Sequence, residues 1–165
     1  MGAIPAGSTW RQEAVRVQTT VIINRSIQEV WAYLDDRNSD LKWRRPSLKS
    51  LAKAGTGAVG PGTRYEGVVA MGPMKYPYVS ELTEYKPPNR VAWKGVSSAG
   101  WMIGREGSYT LEPEGQDRTR VTHEIVMEPQ NALGKIAAPL VERAGPRLVM
   151  PLLKQLKEAV EETPS

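Results

Sequence analysis

The chain has 165 residues, a net charge of +4, no cysteine, no phenylalanine and a single histidine. The absence of cysteine excludes disulfides and thiolate metal sites, one histidine excludes a multi-histidine metal centre, and no stretch approaches the ~20 apolar residues of a membrane span. What remains is one domain with enough chain to bury a real core. Met1 to Gln12 shows no charged-then-apolar signal pattern, so a cytoplasmic protein is expected.

Residues 1–12 carry Gly, Pro and Ser without period and read as a tail, with Trp10 as a docking candidate. The domain is expected over 13–162, with 163–165 as a second tail. Ala14 to Asn24 reads as the first strand: Val15, Val17, Thr19, Val21 and Ile23 share one parity. Ser26 to Glu29 is a capping box, in which serine oxygen and glutamate carboxylate each satisfy the other's backbone amide. The helix it opens buries Ile27, Val30, Trp31 and Leu34. Leu41 to Arg45 reads as a second short helical turn stopped by Pro46. Ser47 to Lys53 reads as a strand, with a helix as the alternative.

Gly55-Thr56-Gly57-Ala58-Val59-Gly60 is a literal G-x-G-x-x-G. A dinucleotide fingerprint follows a strand and opens a helix; here Pro61-Gly62 and another strand follow, so the stretch reads as a hairpin loop. A meander comes next: strands over Thr63–Met71, Met74–Tyr85, Arg90–Val96, Trp101–Glu112 and Thr119–Glu128, separated by short Gly/Pro/Asn turns. Pro77 points to an edge or a bulge.

The chain ends in a helical stripe of Leu148, Val149, Leu152, Leu153, Leu156 and Val160. Pro139, Pro146 and Pro151 interrupt this region. Proline removes a helical hydrogen bond and clashes with the preceding turn. The expectation is therefore a short segment over Asn131–Ala138, capped by Asn131, and a main helix from Gly145–Pro146. A mobile gate is the functional reading of the prolines and a kinked packing helix the plain one.

All the excess positive charge lies in residues 1–60, where nine Lys/Arg face five Asp/Glu. The densest patch is Arg37, Lys42, Arg44, Arg45, Lys49 and Lys53 around Trp43. It reads as a solvated face rather than a nucleic-acid site.

The order of these pieces resembles a known superfamily. They are Val21-Ile22-Ile23-Asn24-Arg25-Ser26-Ile27-Gln28-Glu29-Val30-Trp31, then Trp43 and Pro46, Gly62-Thr63-Arg64, Tyr85 to Trp93, Thr119 to Thr122 and Leu153 to Glu158. Together, over residues 14–162, the chain resembles the START/Bet v 1-like (SRPBCC) superfamily, nearest its polyketide cyclase/dehydrase and lipid-transport branch. The resemblance implies an α+β helix-grip fold. A curved seven-stranded antiparallel sheet wraps a long C-terminal helix, with two short helices after the first strand. It also implies a deep apolar cavity between sheet and helix that binds a hydrophobic small molecule of lipid, polyketide or aromatic type. Some members catalyse cyclisation or dehydration there, without a universal catalytic motif. No cofactor or metal is expected, no nucleic acid and no stable membrane insertion.

Alternate residues of a strand share a face. On that basis the candidate ligand-binding set is Tyr65 and Val69, Tyr76 and Tyr78, Trp93, then Trp101, Ile103, Arg105 and Tyr109, then His123 and Ile125. Tyr and Trp supply the aromatic lining, each with a polar handle. Arg105 and His123 are the polar members. Their functional reading is Arg105 on a ligand carboxylate or enolate and His123 as proton shuttle. Their plain reading is a satisfied core histidine and a solvated strand-end arginine. Three functions compete: a binder of hydrophobic molecules, a metal-free cyclase/dehydratase, and an interaction module using the basic patch.

Overall fold

The computed structural model describes residues 14–45, 47–96 and 102–164. The expected tail with Trp10, together with Pro46, Trp101 and the Ser97–Gly100 turn, lies outside them. The chain runs β1 (Val15–Ile23), α1 (Ile27–Asp35), α2 (Arg37–Trp43), β2 (Leu48–Ala54), β3 (Arg64–Met71), β4 (Met74–Lys86), β5 (Arg90–Val96), β6 (Met102–Pro113), β7 (Thr119–Pro129) and α3 (Ala132–Glu162). The strands form one antiparallel sheet in the order β1-β7-β6-β5-β4-β3-β2, and α3 packs chiefly along β1. The meander explains this order: each short turn pairs a strand with its predecessor, and only β1 closes onto the last strand.

Local chemistry sets the helix starts. Ser26 and Glu29 form the capping box, with Ser26 N–H donating to Glu29 Oε2 at 2.9 Å and Glu29 N–H to Ser26 Oγ at 3.4 Å. Ile27, Val30, Trp31 and Leu34 are the buried stripe of α1. Asp36 ends α1 and caps α2, its side chain accepting from Asn38 N–H at 3.1 Å. That cap starts α2 four residues earlier than the expected Leu41, which brings Arg37 and Asp40 onto the helix.

The expected break in the C-terminal helix is corrected. α3 is continuous from Ala132 to Glu162 with Pro139, Pro146 and Pro151 inside it. Each proline orphans the carbonyl four residues back, on Lys135, Glu142 and Arg147. All three residues are exposed, the setting in which an orphaned carbonyl costs least. Asn131 is the N-cap, accepting from Gly134 N–H at 3.0 Å. Gly145 lets α3 approach β1: a Cβ there would sit 2.4 Å from Val17 Cγ2. Thr19 Oγ1 donates to the Pro146 carbonyl at 3.4 Å beside that contact.

The glycine-rich stretch is the β2–β3 hairpin loop, with Gly55 and Gly62 at positive φ (80° and 87°). It leads into a strand, so the helix N-terminus that a dinucleotide needs is missing. Pro77 pairs with Val68 of β3, and among the described residues the β4–β5 pairing begins at Val79↔Val96, past the proline. The core gathers Ile23, Val30, Leu82, Leu111, Val121, Leu153 and Leu156 between the sheet, α1 and the second half of α3. The first half of α3 exposes Leu133, Ile136 and Leu140, and Leu148 of the expected apolar stripe, just past the midpoint, is exposed as well.

Candidate functional site

Register places one continuous inner face across the sheet. Tyr65 pairs with Ser80 and Val69 with Tyr76, Leu82 with Trp93, Trp93 with Gly107, Tyr109 with His123, and Ile125 with Val17. The expected face is thus one surface for Tyr65, Val69, Tyr76, Tyr78, Trp93, Tyr109, His123 and Ile125. Its burial is uneven. Tyr65, Tyr109 and His123 are buried, whereas Val69, Tyr76, Tyr78, Trp93 and Ile125 stay partly exposed. The inner face thus keeps part of its aromatic and aliphatic surface accessible.

Three rings run across the middle of this face. Tyr109 and His123 stack with centroids 4.4 Å apart, and Trp93 lies 5.3 Å from Tyr109 and 6.0 Å from His123. The Trp93 ring lies over Gly107, where a Cβ would come within 2.5 Å of it. His123 Nδ1–H donates to the Ser108 carbonyl at 2.9 Å, and that acceptor fixes the tautomer. Burial depresses the His123 pKa to about 4, with the Ser108 bond opposing and the nearby Arg44 charge adding to the fall. His123 is therefore a neutral ring at neutral pH. Burial likewise pushes the Tyr109 phenol up.

Arg105 is corrected. A β-bulge between Gly104 and Glu106 breaks the alternation, and Arg105 pairs with Glu128 at 2.7 Å with 44% of its side chain exposed. One extra residue in a strand changes its facing. The same bulge sets Ile103 opposite Glu128 rather than on the parity of Gly107 and Tyr109. The Ile103 side chain, like Trp101, lies outside the described residues. Arg105 and His123 therefore do not meet.

The cations of the inner face come from α2 instead. Arg37, Asp40 and Arg44 lie at i, i+3 and i+7 on one side of the helix end. Asp40 is 1% exposed. Its Oδ2 lies 3.5 Å from Arg37 Nη1 and 3.7 Å from Arg44 Nη1. The Arg37 guanidinium sits over Tyr65 and Trp93, 5.1 and 5.9 Å from their centroids. Arg44 lies within electrostatic reach of Tyr109, Tyr78 and His123. Burial alone lowers the Arg44 pKa, but Tyr109, Asp40 and Tyr78 outweigh it, so the guanidinium stays charged. Arg44 Nε and the neighbouring Trp43 Nε1 are buried without a hydrogen-bond partner among the described residues. The spacing was visible in the sequence. Reading the whole patch as solvated hid it.

An antiparallel sheet closed over a C-terminal helix, with an aromatic concave face capped by α2, defines the helix-grip class of the START/Bet v 1-like superfamily. Within it, the chain belongs to the polyketide cyclase/dehydrase and lipid transport family, whose model matches residues 14–161. Among solved structures, a protein from Thermus thermophilus superposes with TM-score 0.67 at 26% identity, covering 88% of this chain and 96% of that one. An aromatase/cyclase from Streptomyces sp. R1128 gives 0.70 at 17% (90% and 94% covered). A START superfamily protein from Mycobacterium smegmatis gives 0.69 at 16% (90% and 98%). No curated protein matches the chain in sequence. Among the described residues no helix is long and apolar enough to cross a membrane.

Proposed function

We propose that the protein binds a hydrophobic small molecule of aromatic or polyketide type between the concave face of the sheet, α2 and α3. The observation that carries this reading is the partial exposure of Val69, Tyr76, Tyr78, Trp93 and Ile125 on one continuous inner face. A guest would bury those side chains further, and removing apolar surface from water contributes roughly 25 cal/mol per Å². The family and its aromatase/cyclase neighbour are consistent with such a guest.

The enzymatic alternative, a metal-free cyclase or dehydratase in the same space, needs a group that takes and returns a proton near neutral pH. His123 is buried, neutral and tied to Ser108, and Arg105 lies at a bulge paired with Glu128. The geometry therefore favours binding over turnover. N-Phenyl-1-naphthylamine, a neutral probe that brightens in apolar surroundings, tests the reading. Saturable binding with Kd below about 10 μM is expected, weakened at least fivefold by Trp93→Ala. Non-saturable fluorescence in the wild type refutes it.

A further inference from the structure

Hydrophobic binding does not explain the charged cluster that α2 turns against the aromatic face. Arg37, Asp40 and Arg44 sum to +1. Asp40 is the one carboxylate within ion-pair distance of either guanidinium among the described residues. The side chains are 18%, 2% and 21% exposed respectively. Two cations sharing one buried carboxylate leave a desolvated positive charge without a counterion. The surplus lies on the Arg44 side. Asp40 meets its Nη1, while its Nε and Trp43 Nε1 are the two buried side-chain donors with nothing to donate to among the described residues. The Arg44 guanidinium lies 5.9 Å from the Trp43 ring centroid, so the two unused donors belong to one neighbourhood. Tyr109 and Tyr78 lie beside the same guanidinium, Tyr78 close enough to hydrogen-bond it, so the donor left over is Nε–H; both tyrosines are on the inner face.

We propose that Arg44 is an anion subsite, so that the ligand is an aromatic or polycyclic molecule carrying a carboxylate, phenolate or enolate oxygen. The inference rests on the binding function proposed above and specifies its ligand class. Its chemistry is plain. A planar guanidinium with a free Nε–H matches an oxygen anion in its own plane. The anion brings the cluster to zero net charge. Both arginines are engaged, Arg37 over Tyr65 and Trp93 and Arg44 with Asp40 and Tyr78, but Arg44 is the one with a buried Nε–H left over, so Arg37 braces the aromatic wall and Arg44 receives the oxygen. A wholly apolar guest leaves the surplus charge and the Nε–H buried and unmet, a cost of the kind that makes polar sites reject ligands lacking the matching group.

The test compares two ligands of one shape, 2-naphthoate and 2-naphthamide, by displacement of N-phenyl-1-naphthylamine at pH 7.5. The full-length wild type is expected to prefer the carboxylate at least about tenfold, the scale of one hydrogen bond to a charged group. Arg44→Met should bring the ratio to near one. Arg44→Lys should recover part of it, because a point charge survives without the planar fork. Arg105→Ala, on the bulge outside this face, should leave it unchanged. Because the ratio is read within each variant, a general loss of affinity cancels, and circular dichroism reports folding. Equal binding of the two ligands by the wild type, or an undiminished ratio in folded Arg44→Met, overturns the subsite. Failure of the wild type to bind the neutral reporter overturns the binding function itself, and the two failures are thus told apart.

Discussion

Replacing Asp40 by Asn removes the only negative member of the α2 cluster and keeps its shape. At 3.5 and 3.7 Å, the two contacts are each worth about 4–5 kcal/mol gross at an effective dielectric near 20. Desolvation offsets most of that. Breaking a buried pair by removing one partner costs about 3–5 kcal/mol. Both arginine side chains keep about a fifth of their exposure, and Asn still offers one acceptor oxygen, so the cost falls at or just below the lower end of that range, about 2–3 kcal/mol. With a urea m-value near 2 kcal/mol/M, the midpoint should fall by about 1–1.5 M. Urea unfolding followed by far-UV circular dichroism measures it. The double variant Asp40→Asn/Arg44→Met should show a coupling of at least about 1 kcal/mol. The same substitution raises the cluster charge, so it should tighten 2-naphthoate binding while it weakens the fold. A stability within about 0.5 kcal/mol of wild type, the usual range for a surface change, would refute the reading of Asp40 as a buried counterion.

Three further outcomes follow from the inner face and its supports. The single histidine gives one imidazole NMR signal, which should titrate near pH 4. Because the unfolded ring protonates near 6.5 and the folded ring near 4, stability should fall as pH drops between those values, by up to about 3 kcal/mol; His123→Gln should flatten that slope, and a signal titrating near 6.5 contradicts the burial. Gly145→Ala sets a Cβ 2.4 Å from Val17 and should cost about 1–3 kcal/mol in thermal unfolding, as overpacking does. Gly107→Ala drives into the Trp93 ring and should shift tryptophan emission and weaken N-phenyl-1-naphthylamine binding several-fold; unchanged emission argues against the close ring–backbone contact.

The architecture was legible where a local rule and a face rule agreed. Ser26–Glu29 fixed the start of α1, period-2 alternation fixed the inner residues of β1, β3, β4 and β5, and short turns fixed their pairing. Two kinds of feature were not legible. Gly104 inside the strand pattern was a hint of the bulge at Arg105, but the bulge itself is defined by one residue on β6 lacking a partner on β7, a property of two strands. The fate of the prolines depended on whether the carbonyls they orphan face water, which the rest of the fold decides. The α2 cluster differs from both. Arg37, Asp40 and Arg44 already stood on one helical face, and Asp36 was available as a cap. Lys42, Arg45 and Lys49 around them made the patch look uniformly solvated.

The direction in which Arg44 acts on stability separates a ligand group from a fold group. Isolated from function, the cluster does little for the fold. Two cations and one anion lose hydration, and apolar residues of similar volume are often neutral or stabilising by about 1–4 kcal/mol in place of such groups. Arg44→Met gives up the Asp40 and Tyr78 contacts of the guanidinium but leaves Asp40 and Arg37 as a balanced pair, removes the unmet Nε–H and adds an apolar, flexible chain beside Tyr78, Tyr109 and Trp43. It should therefore match wild-type stability or exceed it by about 1 kcal/mol, although Asp40→Asn one turn away lowers it. Opposite signs from two members of one cluster mean that Arg44 is retained for what it binds. If Arg44→Met instead loses as much as Asp40→Asn, the guanidinium is holding α2 to the sheet, and the unmet donor is a cost of the fold rather than a seat for an anion.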